Sequence, residues 1–246
     1  DNIFIAERSH GSGRADACQA RNSKNQNVSG NVLMASLTRD NVRFLGENIG
    51  YVNAPTFSNE QGLEAMYAPI DAGMDFFRYQ KATNYAHQRL RVIKTEKTKD
   101  IDANNWKFCF VVNKNDHQLY TIMHQGQLVK INPRTRKATV LLKKIGIHGA
   151  SNNGSDSYFA FSPLMPNRLF VAQADNHEIW YVDIDQLEGK DPNTYHGEPY
   201  AGRGCREGVT AGRGWEDGLL KNAKFNYPRQ ICFTADGKMY LSLIHI

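Results

Sequence analysis

Short apolar runs separated by polar turns recur along the chain, and no amphipathic helical segment of useful length lies between them. Three of these runs align with one another. Phe108–Thr121 reads FCFVVNKNDHQLYT, Phe159–Ala172 reads FAFSPLMPNRLFVA and Ile231–Ser242 reads ICFTADGKMYLS. Each is an apolar strand, a polar turn and a second strand with an aromatic residue at the same place (Tyr120, Phe170, Tyr240). Pro166-Asn167 and Asp236-Gly237 carry turn chemistry, so the spacing predicts antiparallel hairpins. A third strand follows at Gln127–Ile131 and at Glu178–Val182, and a fourth at Ala138–Leu142. Four short strands in a repeat of about 40–50 residues are the pattern of a propeller blade.

Upstream the repeat is worn. Ile3–Ala6, Val32–Leu37 and Val42–Leu45 fit the last three strands of one blade, and Met66–Ile70, Met74–Tyr79 and Arg89–Ile93 fit another. The expected fold is all-β: a partial propeller of about four blades plus the start of a fifth. The blades span roughly 1–48, 49–100, 106–145, 158–200 and 225–240. A β-sandwich is the competing architecture, but sandwiches lack such self-similarity.

Composition narrows the class. The 246 residues are 41% hydrophobic and 22% charged, enough to bury a sizeable core, and no apolar stretch is long enough for a spanning helix. The net charge of +5 permits an acidic partner without requiring one. The chain enters an apolar run directly at Asp1-Asn2-Ile3, which reads as a start within a domain, with a processed N-terminus as the alternative. Leu241–Ile246 (LSLIHI) resembles a translated adapter used to prepare sequencing libraries, so this tail is expected to be non-native and His245 without function.

Two segments carry a family resemblance. Val171–Ile179 (VAQADNHEI) resembles the signature hairpin of NHL-repeat propellers, in which an Asp-containing turn leads into Asn-His and an apolar residue. Ala211–Leu219 (AGRGWEDGL), followed by Ala223–Pro228 (AKFNYP), is similar to the glycine-rich loop that leads into an NHL blade. The resemblance assigns structural roles to Asp175, Asn176, His177, Ile179, Asp217, Gly218, Phe225 and Pro228. His177 is expected to hydrogen-bond backbone between blades, and Phe225 to plug the space between them. NHL propellers commonly have six blades. A fragment with fewer is expected to expose strand edges and apolar faces, and so to aggregate or fold marginally. The style is similar to Bacteroidota NHL proteins, which often carry an IPT/TIG domain ahead of the propeller. That resemblance implies an extracellular, cell-surface or periplasmic setting.

The chemistry-bearing residues form no familiar catalytic motif. No C-x-x-C spacing marks a zinc site, and Cys109 and Cys232 share a repeat position that reads as a small buried strand residue. Cys18 and Cys205 stand in polar loops far apart in sequence and read as unpaired thiols, with pairing in an oxidising compartment as the alternative. The histidines, including His117, His124 and His148, show no metal-ligand spacing. Asp175, Asp183 and Asp185 read as turn carboxylates rather than a calcium loop. Gly202-Arg203-Gly204 and Gly212-Arg213-Gly214 read as flexible loops, since neither opens a helix after a strand. The basic groups at Lys94–Lys99, Arg134–Lys137 and Lys143-Lys144 fall in separate turns and read as a solvated rim.

The leading functional reading is a non-enzymatic binding scaffold without a cofactor. Its ligand, a glycan or a protein, would dock on blade-connecting loops, with Tyr195, Trp215, Glu216 and Asp217 as candidate contacts. The alternatives are a lyase or lactone hydrolase with a metal in the channel, as in some related propellers, and an RNA-binding NHL domain. Nucleic acid is the less favoured partner.

Overall fold

The computed structural model describes residues 2–8, 20–38, 41–50, 54–70, 75–93, 109–123, 126–145, 158–202 and 213–243. Within them the chain forms a succession of antiparallel sheets. The first has three strands, β1 (Asn2–Arg8), β4 (Gly30–Ser36) and β5 (Val42–Gly46), with a small hairpin, β2 (Ala20–Arg21) and β3 (Asn27–Val28), between β1 and β4. Three four-stranded meanders follow. They are β6 (Thr56–Ser58), β7 (Ala65–Pro69), β8 (Asp75–Gln80) and β9 (His87–Arg91); then β10 (Val111–Val112), β11 (Leu119–Ile122), β12 (Leu128–Ile131) and β13 (Ala138–Leu142); then β14 (Tyr158–Phe161), β15 (Arg168–Gln173), β16 (Glu178–Asp183) and β17 (Glu198–Ala201). The hairpin β18 (Pro228–Phe233) and β19 (Met239–Leu243) opens a fifth sheet.

The sheets are arranged as propeller blades. The first strands β6, β10, β14 and β18 each contact the next, and Ala54 just before β6 bridges Cys109 just before β10 in parallel. Apolar residues are shared between neighbouring sheets and divide into four clusters, one per seam. Val32 and Leu45 meet Met66 and Phe77; Tyr67 and Phe76 meet Phe110 and Leu119; Tyr120 and Leu128 meet Leu169 and Trp180; Phe170 and Ile179 meet Ile231. A blade between two others is covered on both faces, so inner strands such as β7 and β11 are buried at every position rather than alternating. Leu119–Ile122 is buried at every position, with Leu119 in the second seam and Tyr120 in the third.

The terminal sheets have one open face. Ile3 and Ile5 on β1 are exposed while Phe4 and Ala6 pack inward. Tyr240 is 57% exposed, although Tyr120 and Phe170 at the same repeat position are buried. Cys232 is likewise exposed, which corrects the expectation that it is buried like Cys109. The chemistry of the position is the same, but among the described residues no sheet covers the outer face of β18. Burial pushes the Cys109 thiol up to about 12, against a smaller lowering by the Phe159 backbone.

Several strands differ from the sequence reading. The short β6 and the β2–β3 hairpin were not predicted, being too short for periodicity. Nor was β17, where Pro199 reads as loop but stands on an outer edge strand beside a register shift, a place proline tolerates. Leu37 lies beyond β4, and Met74 and Phe108 lie outside the described residues. Leu241–Leu243, expected to be foreign, pair with β18 as part of β19, and 244–246 lie outside the described residues.

One ion-pair network yields a pH prediction. The buried Asp75 carboxylate accepts from Arg89 Nε at 2.8 Å and from Arg91 Nε at 3.0 Å. Burial alone would raise its pKa, but the hydrogen bonds and charges of Arg91 and Arg89 outweigh burial and hold it below the usual value. Its contribution is therefore complete above the unfolded value of about 3.9 and is lost as pH falls through the lower folded value. Urea midpoints of the wild type and Asp75→Asn are expected to converge below about pH 4. A gap constant down to the acid limit would contradict this.

Candidate functional site

In each meander the first and third turns lie at one end of the sheet, and the second turn and the connection to the next sheet lie at the other. The first end carries short, hydrogen-bonded turns, such as Asn113–Gln118, Asn132–Lys137 and Thr234–Lys238. The second carries the longer connections, including the one from β17 to β18. This geometry divides the four candidate ligand contacts. Trp215, Glu216 and Asp217 stand on the β17–β18 connection, whereas Tyr195 lies in the β16–β17 segment, between Pro192 and Gly197, which bond Lys143 and Ile145 just past β13. There Tyr195 packs beside the third seam with Lys190 Nζ 5.8 Å from its ring centre.

The described part of the connection is built as a tight hairpin. Glu216 and Lys224 exchange backbone hydrogen bonds, and their side chains pair at 2.9 Å. The Asn222 and Ala223 amides close the tip by donating to Leu219 O. Leu220 O accepts from the Gly202 N–H at 2.8 Å, which anchors the hairpin to the end of β17, and its apolar side chains stand exposed. Trp215 is 77% exposed, Leu219 79% and Leu220 51%, a concentration of bare apolar surface within six residues. Sequence reasoning singled out the tryptophan and missed the two leucines, because a leucine in a loop is by itself unremarkable. Asp217 and Gly218 are exposed beside them.

The residues of the NHL resemblance hold this connection to the fourth sheet. Asn176 ends a 3-10 turn, Ala174–Asn176, and donates to Gln173 Oε1 at 2.6 Å. His177 takes a left-handed conformation (φ 57°) and is buried. Its Nδ1 accepts from the Tyr227 backbone N–H at 3.1 Å, and the Tyr227 ring stands edge-on to the imidazole at 4.8 Å. Because Nδ1 accepts, that nitrogen carries no proton in the fold. Arg213 extends the stack, with its guanidinium 5.3 Å from the Tyr227 ring and Nε donating to Asn226 Oδ1 at 2.9 Å. Phe225 packs against the seam that contains Ile179, and Pro228 opens β18. The side chain of Asp175 lies outside the described residues.

At the short-turn end a cleft of about 770 Å³ lies between the third and fourth sheets, lined by Asp116, Lys130, Asn167, Asp185 and Glu188 among others. The Tyr120 hydroxyl donates to Asp116 at 2.7 Å; burial, reinforced by that carboxylate, raises its pKa. A second cleft of about 450 Å³ lies where the first turns of the third, fourth and fifth sheets meet, lined by Val112, Phe161, Pro166 and Phe233. Asp183 pairs in bidentate fashion with Arg168 (2.7 Å twice) and is occupied as an ion-pair partner. Among the described residues no group of three His, Cys, Asp or Glu is placed to hold a metal. Arg134–Lys137 and Lys143-Lys144 lie at opposite ends of β13, so they make no continuous basic stripe. Lys94–Lys99, Cys18, Cys205, His124 and His148 lie outside the described residues. No described helix is long and apolar enough to cross a membrane.

No family model matches the chain, and no curated protein matches it. Solved structures do. A Bacteroides thetaiotaomicron protein of unknown function superposes with a TM-score of 0.66 at 14% identity, over 98% of this chain and 59% of its own. An auxiliary nutrient binding protein from the same species gives 0.57 at 14% identity, over 91% and 52%. Its Bacteroides ovatus counterpart gives 0.51 at 14% identity, over 91% and 55%. These likenesses show the fold alone. The chain spans little more than half the length of the structures it matches.

Proposed function

We propose that this chain is part of a non-enzymatic binding propeller of NHL type, exported to the cell surface of a Bacteroidota bacterium. In this reading a glycan or protein ligand docks on the blade-connecting loops. The carrying observation is the exposure of Trp215, Leu219 and Leu220 on a hairpin closed by the Glu216–Lys224 pair and anchored by Gly202 N–H to Leu220 O. Exposed large apolar side chains grouped on a rigid support are characteristic of docking surfaces. Aliphatic leucines beside the indole favour a protein partner over a sugar, while Glu216 and Asp217 supply a polar rim. The shared fold with two auxiliary nutrient binding proteins supports a binding role.

The double substitution Trp215→Ala/Leu219→Ala is expected to leave the unfolding free energy within about 0.5 kcal/mol, because both side chains already stand in water. The same variant is expected to lose the ligand retained by the wild-type chain in affinity capture and on a glycan array. A ligand retained equally by both proteins, or none retained by the wild type, would count against the proposal.

A further inference from the structure

We infer that the cleft between the third and fourth sheets is a binding site for a neutral carbohydrate. Its volume of about 770 Å³ falls within the range of small-molecule sites. The lining includes three carboxylates, of Asp116, Asp185 and Glu188, two ammonium groups, of Lys130 and Lys190, and the Asn167 amide, with Lys130 Nζ 3.8 Å from Asp116. Near balance of opposite charges gives an anion no net attraction, and no described acidic group here meets the requirement for a cation site. What the lining does offer is both hydrogen-bond acceptors and donors together with the apolar side chains of Val140, Leu141 and Leu187. A sugar ring matches that lining: its hydroxyls both give and take hydrogen bonds, and its C–H faces rest on apolar surface.

The cleft is also preformed. The Asn115 amide donates to Asn167 Oδ1 at 2.9 Å, and the Asn113 amide donates to Pro166 O at 2.7 Å, tying the first turns of the two sheets together. The second half of the β16–β17 segment is tied to the residues just past β13, by Lys143 N–H to Pro192 O and by Gly197 N–H to Ile145 O, each at 2.8 Å. Within that turn Asp191 accepts from the Asn193 N–H at 3.0 Å and from its side-chain amide at 2.7 Å, which holds the carboxyl below its usual range. Walls fixed in this way spare a ligand the cost of ordering them.

The inference does not depend on the Trp215 surface. The full chain is titrated calorimetrically with glucose, mannose, xylose, N-acetylglucosamine and their common disaccharides. At least one is expected to bind saturably. Asp185→Asn and Glu188→Gln, both on exposed side chains, are each expected to weaken that binding by about tenfold, as loss of a hydrogen bond to a charged group does. Absence of saturable binding across the panel would overturn the inference. So would binding that survives both carboxylate substitutions.

Discussion

Trp180→Ala is expected to cost about 3–5 kcal/mol of unfolding free energy, the range for removing a buried tryptophan. Trp180 is among the largest fully buried side chains and sits in the third seam with Leu128, Leu169 and Val182. Its Nε1–H also donates to the buried Glu178 carboxylate at 2.8 Å, so truncation takes a donor from a charged group as well as leaving a void. Domains of ordinary stability have about 5–15 kcal/mol in total, so the variant should lose much of its urea resistance. Equilibrium urea unfolding checks this, with Trp215→Ala as the exposed counterpart whose midpoint should not move. Equal midpoints for the two tryptophan variants would show that the third seam is not packed as described.

Gly202→Val is expected to cost about 2–5 kcal/mol, combining left-handed strain with overpacking. Gly202 has φ 97°, and a β-carbon there would lie 2.7 Å from His177 O and 3.1 Å from the Phe225 ring. One of those neighbours is backbone and cannot swing aside. The damage should be local first: the seam that His177 closes onto Tyr227 would open, and the Tyr227 amide should lose protection in hydrogen exchange. Unchanged protection of that amide, with unchanged stability, would contradict the geometry.

Much of the architecture was legible because the repeat carried it. β13 falls at Ala138–Leu142, where the spacing puts it, and the aromatic shared by Tyr120, Phe170 and Tyr240 marks the second strand of each hairpin. What stayed hidden was of two kinds. Strands of two or three residues, such as β6, have no room for a periodic signal, and Pro199 disguised an edge strand. Burial depends on neighbours rather than on residue type, which is why Cys232 and Tyr240 are exposed while Cys109 and Tyr120 are not. The candidate site was less legible for the same reason. Trp215 stood out as an aromatic in a loop, but the end of the sheet on which it lies follows only from counting turns through the meanders. The seam cleft draws on residues from Asp116 to Pro192 and has no local sequence signal.

The succession of sheets is tested most directly by methyl–methyl NOEs. They are expected between Leu128 and Leu169, between Ile122 and Val171, and between Ile179 and Ile231, each pair sharing one seam. None should join Val32 or Leu45 of the first sheet to Val182 of the fourth. NOEs linking those non-adjacent sheets, in place of the seam contacts, would mean two sheets stacked face to face and would contradict a propeller.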